Sequence, residues 1–102
     1  VSEKAITDFK VLEKNYNTSL LLLRPLTGRK HQLRKQLSLI GYPVIGDSKY
    51  NFSEKNKKKN LMLHSFSIKF FINNKKFEFI ADVPDYFKKM LTLKKLNLPK
   101  NF

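Results

Sequence analysis

Four leucines in succession, Leu20 to Leu23, place apolar side chains on both faces of whatever they build. A strand alternates its side chains between two faces, so an unbroken apolar run of this length fits a central strand covered on both sides. It is far too short to cross a bilayer. Upstream, Thr7 to Glu13 carries Phe9 and Val11 in alternation, the pattern of a half-buried strand. The turn cluster Asn15 to Asn17 separates the two runs. The spacing predicts an antiparallel hairpin of Thr7–Glu13 and Ser19–Arg24.

Pro25 to Gly28 ends the second strand, and a short helix is expected from about Lys30 to Ile40. Leu33, Leu37 and Ile40 fall at i, i+4 and i+7, one apolar stripe, and Gly41 is placed as its C-terminal stop. Lys30 and Arg34 lie on the flank of that stripe, so Arg34 can keep its stem in the core and its head in a cleft. Gly41 to Tyr50 reads as a compact loop, and Ser53 to Asn60 as a basic surface loop. Leu61 to Ile72 reads as a long strand with Phe66, Ile68, Phe70 and Ile72 on one face. Asn73-Asn74 then makes a tight turn into a partner strand, Phe77 to Ala81. Pro84 opens a last helix, Asp85 to Leu96, with Phe87, Met90, Leu91 and Leu93 available for burial. The fold class expected is α+β. It comprises an antiparallel-rich mixed sheet, a short helix after the second strand and a C-terminal helix, all in one domain over residues 1–102.

The chain carries 21 Lys and Arg against 8 Asp and Glu, a formal charge of +13 on 102 residues. That much positive charge on so small a body attracts polyanions, RNA or DNA above all, although a proteome drifting toward Lys and Asn would give a similar balance. Hydrophobic residues at 41% suffice for a core and argue against wholesale disorder. There is no cysteine, hence no disulfide and no thiolate site, and His31 and His64 cannot hold zinc without carboxylate help. No metal and no membrane contact are expected. No signal peptide is visible, so a cytoplasmic or organellar-matrix location is expected rather than secretion. The sequence opens on Val1 and moves at once into strand-like residues, the look of a piece of something longer.

The stretch Leu26 to Tyr50, LTGRKHQLRKQLSLIGYPVIGDSKY, carries the most specific signal. It resembles the RluA-type RNA pseudouridine synthases, whose late motif runs TGR-x-HQ-[LI]-R, a short helix, then G-x-P-[IV]-x-GD-x-x-Y. Thr27, Gly28, Arg29, His31, Gln32, Leu33 and Arg34 match, followed by Gly41, Pro43, Val44, Gly46, Asp47 and Tyr50. LMLHSFSIKF, Leu61 to Phe70, is similar to the family's Leu-His-Ala strand, and Val83-Pro84-Asp85 to its closing apolar-Pro element. Lys30 departs from the usual Thr or Ser, Gln36 and Tyr42 from a frequent His, and Ser65 from Ala. The family's His-Arg-Leu-Asp catalytic motif and its active-site Tyr occur nowhere in these residues. The resemblance therefore implies the C-terminal portion of a synthase catalytic domain.

The resemblance implies isomerisation of uridine to pseudouridine in structured RNA, ribosomal or transfer, by an attacking aspartate with no cofactor. An Asp in a water-excluding pocket has its pKa raised by burial, and a fixed guanidinium counters that. Arg34 matches the family's arginine in that role and would hold an aspartate supplied by an upstream N-terminal half. Taken bare, an arginine beside an apolar stripe on a helix is usually a surface residue or the partner of a structural aspartate such as Asp47. Leu63 matches a leucine that the family sets under the reacting base, and bare it is a core residue of a strand. For RNA contact the candidates are Arg29, Lys30, His31, Gln32, Lys35 and Lys49, with Lys55 to Lys59 extending a basic rim. His31 either meets a phosphate or braces the turn. None of Asp8, Asp47, Asp82 and Asp85 stands in a nucleophile motif. Three readings compete: part of an enzyme, an RNA-binding remnant without chemistry, or a basic degenerate fragment with no function.

Overall fold

The computed structural model describes residues 4–15, 17–51 and 60–100. Six elements follow in chain order: β1 (Thr7–Lys14), β2 (Ser19–Pro25), α1 (Gln32–Leu39), β3 (Ser67–Ile72), β4 (Lys75–Ile80) and α2 (Asp85–Leu93). The class is α+β, compatible with part of a pseudouridine synthase fold. The expected basic loop Ser53–Asn60 falls, apart from Asn60, outside the described residues.

β1 and β2 pair antiparallel from Thr7↔Pro25 to Lys14↔Ser19, with the register shifting between Val11 and Glu13. The extra residue at that bulge is Leu12, which packs against a buried cluster of Leu20, Leu91 and Leu96, with Phe87 beside it. Asn15 closes the connection, its Oδ1 accepting from the Asn17 and Thr18 amides. Neither member of the apolar alternation is buried, Val11 being 44% exposed. Phe9 is 67% exposed, while Leu12, off the expected period, serves the core.

Two expectations about the sheet are corrected. Among the described residues the strands form two separate two-stranded antiparallel sheets, β1-β2 and β3-β4, where one mixed sheet was expected. β2 has β1 as its ladder partner, so among the described residues it is not a central strand. The long strand expected over Leu61–Ile72 is a ladder only from Ser67. Its partner β4 ends at Ile80 opposite Ser67, Ala81 N–H donates one last bond to Phe66 O, and Pro84 then turns the chain into α2. Leu61 to Ser65 therefore has no β4 residue to pair with. The Asn73-Asn74 turn has φ of 50° and 64°, the left-handed pair that a two-residue hairpin requires.

Both helices end in the same way. Past α1, Gly41 N–H donates to Ser38 O and Tyr42 N–H to Leu37 O, with Gly41 at φ +89°. Past α2, Lys95 N–H donates to Thr92 O and Leu96 N–H to Leu91 O, with Lys95 at φ 58°. This double bond pattern is the Schellman stop, and in α2 it brings Leu91 and Leu96 together in the core. α2 is thereby shorter than expected, and Leu93 lies outward, 72% exposed.

The buried apolar set is small: Leu20, Val44, Leu91 and Leu96 among the described residues. A cleft of about 330 Å³ opens between the β1-β2 sheet and α1, lined by Phe9, Leu21, Leu23, Leu33, Leu37 and Ile40 among others. The radius of gyration, 15.1 Å, exceeds the roughly 13 Å of a compact 100-residue domain. No helix among the described residues is long and apolar enough to cross a membrane.

Candidate active site and nucleic-acid interface

The site is built around the start of α1, and one amide fixes that start to β1. Gln32, 6% exposed, accepts at Oε1 from Thr27 Oγ1 at 2.6 Å and from the Arg29 amide at 3.1 Å. Its Nε2 donates to Ile6 O at 2.9 Å and to Thr7 Oγ1 at 2.8 Å. All four bonding positions of the amide are filled. Gln32, expected on the RNA face, is instead turned inward because the strand and the loop both need its donors and acceptors. Gln36 extends the same tie, accepting from Thr7 Oγ1 at 2.6 Å and donating to Ala5 O at 3.1 Å.

Arg34 follows on the next turn. Its Nε donates to Asp47 Oδ2 at 3.0 Å and its Nη2 to Asp47 Oδ1 at 2.8 Å, a two-pronged fork on one carboxylate. Asp47 is 1% exposed, and the Arg34 side chain 18%. The Lys49 and Tyr50 amides each donate to Asp47 Oδ1 at 2.9 Å, so the carboxylate hangs from its own backbone. Hydrogen bonding from Arg34 holds the Asp47 carboxyl well below the usual carboxylate range, against the opposing effect of burial, and the two backbone donors add to it. The same bond raises the Arg34 guanidinium further above its already high value.

Tyr50 closes the arrangement. Its ring lies 5.1 Å from Arg34 Cζ and 5.6 Å from Lys49 Nζ, its carbonyl accepts from Ser38 Oγ at 2.6 Å, and its hydroxyl shares a 2.8 Å bond with His31 Nδ1. His31 precedes α1 in the left-handed region, φ 53°. Its pKa is lowered from 6.5, first by desolvation and then by the positive charges of Arg34, Lys49, Lys30 and Lys35. Lys30, Lys35 and Lys49 are exposed, as is Arg29, whose Nε donates to Lys4 O at 3.3 Å. Lys55 to Lys59 lie outside the described residues.

Leu63 is half-buried in the extended segment before β3. The segment is tied to the loop by Met62 N–H, which donates to Ile45 O at 2.8 Å. At Gly46, φ +84°, a Cβ would stand 1.9 Å from Asn60 O, so only glycine allows the segment this close. Tyr50 has a motif position but no expected role, and Asp47 is expected only as a structural partner for Arg34; the GD-x-x-Y spacing is the signal that joins them. An Asp carboxylate reaches the amides two and three residues on, which leaves Tyr50 at the end of that turn. Among the described residues no cluster of potential ligands could hold a metal ion.

Residues 1–39 match the RNA pseudouridylate synthase family model. Over 87 residues the chain is 37% identical to ribosomal large subunit pseudouridine synthase D of Borreliella burgdorferi, covering 83% of this chain and 27% of that protein. The chain belongs to the RluA-type RNA pseudouridine synthase family. Ribosomal large subunit pseudouridine synthase C of Rickettsia conorii is 40% identical over 94 residues, covering 86% of this chain and 30% of the relative. An uncharacterised RNA pseudouridine synthase of Mycoplasma genitalium is 39% identical over 100 residues, covering 95% and 32%. The chain thus spans less than a third of the length of these relatives. No solved structure matches it.

Proposed function

We propose that these residues supply the arginine side of a uridine-isomerising active site in structured RNA, ribosomal RNA above all, working with an aspartate from an N-terminal half of the enzyme. The observation that carries the reading is the state of Arg34. Its Nε and Nη2 are fixed on Asp47, while its side chain stays partly open among basic residues on α1 and the following loop. The fork on Asp47 occupies one edge of the guanidinium, and no hydrogen bond from the described residues engages Nη1, the edge a second carboxylate would take.

In the reaction the N1–C1′ bond of uridine breaks and a C5–C1′ bond forms. The C5 proton is lost and N1 gains one, so no oxidant or cofactor is needed. Arg34 orients the attacking carboxylate and favours its ionised form. Leu63 packs under the base, and Arg29, Lys30, His31, Lys35 and Lys49 face the RNA backbone. The names of the relatives from Borreliella burgdorferi and Rickettsia conorii, both large-subunit ribosomal synthases, support ribosomal RNA as the substrate.

One observation favours the second reading, an RNA-binding remnant. Arg34 already has a carboxylate partner within this chain, as a purely structural arginine would. Tritium release from RNA labelled at uridine C5 separates the two. The synthase reading expects release when the chain is combined with the aspartate-bearing half, and its loss on Arg34→Ala. Release by the chain alone would make one of its own aspartates the nucleophile. RNA binding with no release in the mixture would favour the remnant.

A further inference from the structure

We propose that the outer face of α2, with the β1-β2 turn docked on its end, is a second phosphate-binding surface for structured RNA, across the β1-β2 hairpin from α1. The inference rests on the reading that structured RNA is the substrate. From Tyr86 to Lys100 the chain carries five lysines and no Asp or Glu. Phe87 and Leu91 of α2 turn to the core, which leaves Lys88, Lys89 and Thr92 exposed, with Lys95 exposed at the stop. Tyr86, 39% exposed, lies three residues before Lys89 and so on the same side of the helix. Lysine, threonine and tyrosine are side chains that bond phosphate oxygens.

Ordinary structural roles leave part of this charge unexplained. The helix dipole favours cations only in the last turn, so it accounts for Lys94 and Lys95 but not for Lys88 and Lys89, at the fourth and fifth positions of α2. Among the described residues none of these four lysines is in an ion pair. The surface is also fixed in shape. Asn15 Oδ1 takes the Asn17 and Thr18 amides while its Nδ2 donates to Lys94 O, which ties the turn to the helix end. Between them lies an open hollow of about 470 Å³, edged by Asn17 and Thr18 on one side and by Lys94 and Lys95 on the other.

The two basic surfaces face different ways. Phe9, Leu21 and Leu23 line the cleft beside α1, whereas Leu20, on the alternate face of β2, packs on Leu91 and Leu96. α1 and α2 therefore cover opposite faces of the hairpin. An RNA that reaches both must fold round it, and a short single strand laid along α1 reaches only the first. The α2 surface thus adds affinity for folded RNA and none for short strands.

The test uses the complete synthase, with its aspartate-bearing segment, and large-subunit ribosomal RNA from cells lacking the enzyme, tritiated at uridine C5. Three forms are compared: wild type, Lys88→Gln/Lys95→Asn, and Lys75→Gln/Lys76→Gln, which removes the same charge from the β3-β4 hairpin. Asn suits the φ of 58° at position 95. Affinity is measured against salt, with circular-dichroism melting as the control for folding. The α2 variant is expected to bind roughly tenfold or more weakly at low salt, its log–log slope shallower by about 0.7 to 0.9 per lysine removed, while the β3-β4 variant keeps the wild-type slope. A short uridine-containing single strand should bind wild type and the α2 variant alike. An unchanged slope in the α2 variant, an equal change in both variants, or an equal loss on the short strand overturns the inference. A second measurement, on wild type alone, covers the case in which the α2 variant does not fold. Acylation of lysines, read by mass spectrometry with and without the ribosomal RNA, should show Lys88, Lys89 and Lys95 protected in the complex, and full reactivity there overturns the inference. Absence of tritium release from wild type would instead count against the isomerase reading, while the salt slope and the protection still decide whether α2 holds RNA.

Discussion

Arg34 and Asp47 meet edge to edge, with two hydrogen bonds of 3.0 and 2.8 Å between the α1 arginine and a carboxylate that is 1% exposed. Leaving either partner alone in that place is costly, about 3 kcal/mol when a buried pair loses one member. Asp47→Asn is therefore expected to lower stability by about that amount at pH 7, read as a drop in the urea midpoint.

The same pair fixes the direction of a pH effect. Asp47 titrates below its ordinary value of 3.8 when folded, so in that window the unfolded chain binds more protons and stability rises with pH. The contribution is complete above about pH 5 and is lost as pH falls through the depressed folded value. The stability gap between wild type and Asp47→Asn should accordingly narrow as pH is taken below 4. A gap constant from pH 7 to pH 3 would mean that the ion pair is not what Asp47 contributes.

Gly46→Ala tests the close approach of the loop to the segment before β3. A Cβ there meets Asn60 O at 1.9 Å and C at 2.5 Å, both backbone atoms, on a residue already at φ +84°. Neither neighbour is a flexible side-chain tip, so the segment must shift. A loss of about 2 kcal/mol is expected, the left-handed conformation alone accounting for roughly half of it. Because Met62 and Leu63 follow directly, activity should fall further than stability.

Local patterns were legible where the physics is local. Asn73-Asn74 and Gly41 announced their turns, since few other residues tolerate positive φ, and Leu33, Leu37 and Ile40 announced α1. The failures needed information from elsewhere in the chain. The bulge at Leu12 depends on what β2 and α2 offer across the core, and the late start of β3 depends on where β4 ends. Arg34 stood out through its motif, and Asp47 was the structural carboxylate named as its possible partner, the pair that forms. The inward turn of Gln32 could not be read, because it depends on Ile6 and Thr7 arriving from 25 residues upstream.

Lys95 offers a stabilising change. It is the residue after the α2 stop and holds φ 58°, which costs an L side chain about 1 kcal/mol. Its amide already donates to Thr92 O, and the next residue, Leu96, is in the core. Lys95→Gly should raise the unfolding midpoint by the equivalent of about 1 kcal/mol, and Lys95→Val should lower it. Equal midpoints would show that the left-handed turn is not kept in solution.

At the proposed interface His31 would couple RNA binding to a proton. Desolvation and four surrounding positive charges lower its pKa below 6.5, so it is mainly neutral at pH 7 and shares a bond with the Tyr50 hydroxyl. The folded state thus binds fewer protons than the unfolded one near pH 6, and acidification through that range destabilises the protein. RNA phosphates reverse the local field by neutralising Lys30, Lys35 and Lys49. If RNA lies where the proposed interface puts it, the His31 ring should titrate higher in the complex, and RNA should bind more tightly at pH 6 than at pH 7.5. The affinity should also fall with salt, by a log–log slope of roughly −0.7 per single-stranded phosphate contacted. Proton NMR of the His31 ring, free and with RNA, reads the first effect. An unchanged titration on saturation with RNA would place the phosphates away from α1.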